Sequence, residues 1–118
     1  MSTYTKMAFS GSTNGKQIKI GATSTPGTTI HTAVTGTSEY DEIWIYATNN
    51  DTASVNLTIE WGGTSSPDDL VQMAIPAKQG IYLVIPGWVL QNSLVVKAFA
   101  GTTNVISLGG WVNRITPA

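Results

Sequence analysis

A chain of 118 residues with 11% charged residues, a formal net charge of −1 and 0 Cys has room for one domain, with no disulfide and no thiolate metal site. So sparse a charge cannot neutralise many phosphates, which argues against nucleic acid as a partner, and no apolar run approaches the ~18 residues of a membrane helix. With 42% hydrophobic residues the chain can still build a core, and its polarity is carried by Thr, Ser and Asn, which suit turns and the surface of a sheet.

Residues 1–15 are polar and rich in Ser, Thr and Gly, with Tyr4, Met7 and Phe9 as scattered apolar points. They read as an extended N-terminal arm that must dock on its own domain or on a neighbouring subunit to become ordered. No run in it has the length of a signal-peptide core, and with the lack of Cys this points to an intracellular origin. Asn14-Gly15 is a turn signal that opens the main domain, residues 16–118. Strands are expected at 16–24 and at 28–35, the second with Ile30, Thr32 and Val34 on one face. Pro26-Gly27 separates them.

The segment EIWIYATNNDTASVNLTIEW, residues 42–61, reads as a hairpin of strands 42–49 and 53–61 around Asn50-Asp51. Val55, Leu57, Ile59 and Trp61 share one face of the second arm, opposite Ser54, Asn56, Thr58 and Glu60. In the first arm Ile43, Ile45 and Ala47 face one way and Trp44 and Tyr46 the other. A strand apolar on both faces needs a cover on both. Ser66-Pro67 with Asp69 reads as a short capped helical turn. Further strands are expected at 70–75 and 80–86, with a break at Pro86-Gly87. Residues 94–100 and 105–108 read as a hairpin around Gly101 to Asn104, and Trp111 to Ile115 closes the chain. The fold class is all-β, an antiparallel β-sandwich of about eight strands with jelly-roll or immunoglobulin-like connections.

Catalytic chemistry has little to stand on. The single His, His31, has no spaced partner and reads as structural. Glu39, Asp41 and Glu42 read as a solvated rim, and Asp68-Asp69 as turn capping in place of a Ca²⁺ site. No metal, cofactor or catalytic residue is expected. Asn50-Asp51-Thr52 and Asn56-Leu57-Thr58 match a glycosylation pattern by chance. Trp44, Trp61, Trp88 and Trp111 remain. Trp61 continues a core face. Tyr4, Phe9, Trp44, Tyr46, Trp88 and Trp111 are the candidate residues for a subunit or partner interface, where Trp and Tyr are enriched. A sugar-stacking platform is the alternative, weakened by the lack of evident acidic and amide partners.

Over residues 40–115 the order of motifs resembles small β-sandwich virion proteins of tailed bacteriophages. The residues that carry this are Thr48-Asn49, the turn Asn50 to Ala53, Ile75-Pro76-Ala77 with Gly80, Ser93-Leu94 with Val96 and Ala98, and Gly109-Gly110. The opening MAFSGSTNGKQIKI is similar to structural proteins of marine podophages. The resemblance implies a non-enzymatic particle component with no cofactor, assembled in the host cytoplasm. The expected role is a capsid decoration protein on the capsid surface, a homo-oligomer (a trimer) that binds the major capsid protein. A tail, neck or fibre component is the alternative within the particle, and a carbohydrate-binding module is the alternative outside it.

Overall fold

A computed structural model describes all 118 residues, and it is all-β. Nine strands form two antiparallel sheets: β1 (Thr3–Met7), β2 (Ile18–Lys19), β3 (Thr28–Thr32), β4 (Tyr40–Asn49), β5 (Val55–Trp61), β6 (Leu70–Ile75), β7 (Tyr82–Leu90), β8 (Val95–Ala100) and β9 (Ile106–Thr116). The first sheet runs β1-β9-β4-β7, with β2 also on β9, and the second runs β3-β8-β5-β6. Successive strands from β2 to β5 alternate between sheets, as do β6 to β9, so this strand order is that of a jelly roll and excludes the immunoglobulin-like alternative.

That alternation corrects both expected hairpins. β4 lies in the first sheet and β5 in the second, and β8 and β9 are divided in the same way. The turn at 50–54 is therefore a corner that crosses the sandwich. Asn49 builds it. Its buried Nδ2 donates to the carbonyls of Ala53 (3.0 Å) and Ile75 (2.8 Å), while its Oδ1 accepts from the Asp51 N–H (2.9 Å). Ile43, Ile45 and Ala47 of β4 and Leu108 and Val112 of β9 then meet Leu57 and Ile59 of β5 and Val96 and Ala98 of β8, all fully buried. Trp61 packs half-buried against this core.

Several boundaries move for physical reasons. The expected strand at 16–24 shrinks to Ile18–Lys19. The strands expected at 105–108 and 111–115 fuse through Gly109-Gly110 into β9. Pro86-Gly87 lies inside β7, where the register with β4 shifts, so the break is a bulge. A second shift, between Thr29 and His31, buries both Ile30 and His31 and leaves Thr32 exposed, so Thr32 does not share the face of Ile30 and Val34. Residues 66–69 form a turn and no helix, with the Asp69 carboxylate accepting from the Ser65 N–H (3.1 Å). Glu60 is buried, because the loop before β3 folds over it: the Thr25 hydroxyl and the Gly27 N–H each donate to its carboxylate at 2.6 Å.

The N-terminal arm docks on its own domain. β1 pairs with residues 112–116 of β9 and β2 with residues 107–108, so the two form one interrupted edge strand. Between them Phe9 enters the core at 3% exposure, which removes it from the interface candidates. Its ring approaches Gly110, whose φ is 144° and where a Cβ would collide with the Trp44 carbonyl and with Phe9. Gly110→Ala is therefore expected to lower stability by about 2–4 kcal/mol. Gly36, with φ 75° and open space around it, carries the conformational cost alone, and Gly36→Ala is expected to lose only about 1–2 kcal/mol. Urea unfolding of the two variants tests this; equal losses would mean that the close approach at Gly110 is unimportant.

Candidate functional site

Because β4 and β9 place every second residue outward, Glu42, Trp44 and Tyr46 share the outer face of the first sheet with Gly109, Trp111 and Asn113. Trp44 stacks on Trp111 with ring centroids 5.6 Å apart and planes at 17°, and Tyr46 stacks on Trp111 at 5.8 Å and 26°. The Lys6 ammonium lies 4.9 Å from the Trp111 ring centroid. Trp44 lies across Gly87 of β7, where a Cβ would come within 2.7 Å of the indole. The Glu42 carboxylate accepts from the Asn113 amide (3.0 Å) and the Trp44 indole N–H (2.9 Å), and these two donors hold its pKa below the ordinary value. All three rings are half-buried, so the second apolar face of β4 is covered in large part by its own neighbours. At one end of the row, Tyr46, Trp111 and Ile81 wall a depression of about 430 Å³ that is floored by Gly109-Gly110 and rimmed by Gln17 and Thr48.

A second surface lies at one end of the sandwich. Trp88 of β7 meets Trp61 of the opposite sheet edge to face, with centroids 5.6 Å apart and planes at 86°, and so closes the gap between the sheets. Trp88 keeps 45% exposure, Val89 53% and Leu94 43%, unusual values for large apolar side chains. Tyr40, Val89, Leu90, Gln91 and Leu94 line a groove of about 350 Å³ beside them.

A third group is buried. Asp41, expected on a solvated rim, has no exposed surface. Its carboxylate accepts from Arg114 through Nε (2.7 Å) and Nη2 (3.0 Å), from His31 Nε2 (2.7 Å) and from the Val34 N–H (3.2 Å). The Ser10 N–H donates to His31 Nδ1 (3.0 Å), so Nδ1 acts as the acceptor and Nε2 as the donor to Asp41. Ser10, His31 and Asp41 are adjacent but not arranged for nucleophilic attack. The Ser10 hydroxyl accepts from the Thr32 N–H (2.8 Å), and the Nδ1 lone pair is already engaged by a backbone donor.

Of the six candidate interface residues, the structure brings Trp44, Tyr46 and Trp111 together, puts Trp88 at the apolar end within a strand and no turn, leaves Tyr4 68% exposed on β1, and buries Phe9. Sequence reasoning missed Leu94, Val89, Asn113 and Gln17. Glu42 was legible as a neighbour of Trp44, two residues away on the same face. Gln17 was not, since it reaches Gly109 only through the docking of β2 on β9. No family model matches the chain, and no curated protein or solved structure is significantly similar to it.

The polar cluster predicts a pH dependence. Burial pushes the Asp41 carboxyl up, but the hydrogen bonds from Arg114 and His31 and the charge of Arg114 outweigh it and hold the carboxyl below its ordinary value of 3.8. A carboxylate lowered on folding stabilises fully above its unfolded pKa, and that contribution is lost as the pH falls from there through the folded-state value. The wild type is therefore expected to lose stability on acidification below about pH 4. Asp41→Asn is expected to be about 3–5 kcal/mol less stable at neutral pH and to show a shallower acid limb. Denaturant midpoints measured from neutral pH into acid test both; parallel curves for the two proteins would exclude Asp41 as the group responsible.

Proposed function

We propose that this chain is a structural component of a tailed-phage particle, a capsid decoration protein that joins copies of itself through its apolar end and seats on the major capsid protein. The observation that carries the reading is the end patch of Trp88, Val89 and Leu94, three large apolar side chains left in water beside a groove. The resemblance over residues 40–115 supports the particle context.

Side chains, and not strand addition, make the contact in this reading. β7 is an edge strand, but Pro86 lacks an N–H and the bulges on either side of it disturb the ladder, two features that blunt an edge. Trp88 is held by Trp61 in one orientation, so little freedom is lost when it is covered. A standard interface takes ~800 Å² from each partner. Against a total surface of 6217 Å² that is about an eighth of the molecule, an area that one end of a sandwich can supply. Contacts that depend so little on charge lose little at high salt. Repetition on a symmetric shell then multiplies weak capsid contacts.

Sedimentation over a range of concentrations is expected to give a closed oligomer, a trimer, for the wild type. Leu94→Glu is expected to give monomers that keep the wild-type circular dichroism spectrum, since Leu94 is half-exposed and its replacement leaves the core intact. A wild type that stays monomeric at every concentration would sink the assembly claim. Quantitative mass spectrometry of whole particles decides the location: a copy number that scales with the major capsid protein supports the shell, and a few copies per particle would reassign the chain to the tail.

A further inference from the structure

We infer that the depression between Tyr46, Trp111 and Ile81 is a binding site for a neutral saccharide. Its volume of about 430 Å³ falls within the range of small-ligand sites, and its make-up is that of such a site, apolar walls with a few placed polar groups. The Tyr46 and Trp111 rings are the walls. The C–H face of a pyranose packs against an aromatic ring, while its hydroxyls require hydrogen-bond partners at the rim.

Gln17 and Thr48 supply those partners. The Thr48 hydroxyl donates to Gln17 Oε1 (2.9 Å), which fixes the amide and leaves its N–H₂ as a donor and the Thr48 oxygen as an acceptor. None of the seven residues that line the depression is charged. That composition favours a neutral sugar over an anionic one. Lys6 is engaged at the Trp111 ring, 4.9 Å from its centroid. The amide and acidic groups that the sequence did not reveal as sugar partners, Gln17, Asn113 and Glu42, stand on the same face as the rings.

The site is preorganised. Trp111 stacks with Trp44 and with Tyr46, and Trp44 is fixed in turn by its bond to Glu42, so binding immobilises few side chains. The floor exists because Gly109 occupies an outward position of β9 between Trp111 and Ser107, where a side chain would fill the space. A Cβ there would also crowd Gln17 Cγ at 3.3 Å. The depression shares no residue with the end patch of Trp88, Val89 and Leu94, so this inference stands or falls separately from the particle role.

Titration of the full chain, labelled with ¹⁵N at its indoles, with cellotriose, maltotriose and tri-N-acetylchitotriose tests it. At least one sugar is expected to shift the indole N–H signals of Trp111 and Trp44 to saturation while those of Trp61 and Trp88 stay in place. Gln17→Ala is expected to weaken that sugar about 10-fold, the loss of one hydrogen bond, with no change in melting temperature. Leu94→Glu is expected to bind as the wild type does. No saturable shift with any of the three sugars, or shifts spread over all four indoles, would overturn the proposal. So would shifts at Trp111 produced only by a proline-rich peptide, which would make the depression a peptide groove.

Discussion

Asp41 is a carboxylate with no contact with water, and it remains charged there because every lone pair that faces the interior is used. Arg114 takes both oxygens, and His31 and the Val34 N–H share one of them. A charge removed from water costs several kcal/mol unless paired and hydrogen-bonded in this way. The partners come from both sheets. Asp41 and Arg114 lie on β4 and β9 of the first, and His31 lies on β3 of the second. Through the far nitrogen of His31 the same network reaches the Ser10 N–H and hence the N-terminal arm. One side chain thus fixes where the sheets meet, and its neighbour Phe9 enters the core just before the point where the arm is held.

The register follows from that anchorage. With Asp41 turned inward, period-2 alternation sends Ile43, Ile45 and Ala47 into the core and Glu42, Trp44 and Tyr46 to the outside. A slip of one residue would bury a tryptophan pair and expose three aliphatic side chains, besides stranding the carboxylate. The outer aromatic row is therefore determined from within. It is also why the outer faces of the two sheets differ. The second sheet presents Asn56, Gln72 and Lys97 beside the partly buried Leu70 and Phe99, and its one acidic residue, Glu60, is sealed under the loop at 21–27.

The strand positions of 42–61 were legible in the sequence because alternation is a property of single strands. The destination of each strand was not. A hairpin and a corner between sheets impose the same alternation on their two arms, and a five-residue connection serves either. What separates them is the buried Asn49, whose amide satisfies the Ala53 and Ile75 carbonyls, and only the folded chain reveals that pairing. Phe9 shows the complementary difficulty. A lone aromatic in a polar segment carries no period, so its place in the core depends on β1 and β2 finding the same edge of β9. Asp41 looked like part of an acidic rim because Arg114, more than seventy residues away, could not be assigned to it from spacing.

Gly109 and Gly110 unite the core and the outer face in a way that neither requirement explains alone. Gly110 points inward, and its missing side chain lets the Trp44 backbone and the Phe9 ring close up. Gly109 points outward, and its missing side chain leaves the depression beside Tyr46 and Trp111. Successive residues of a strand serve opposite faces, so two adjacent glycines thin the sheet on both sides at one point. Such a point ought to be weak, since glycine packs nothing and loses the most entropy on ordering. Here it is held on one side by Phe9 in the core and flanked on the other by the stacked rings. The floor of the depression is therefore rigid because the core behind it is closed, and a ligand seated there would meet a surface already in its bound shape.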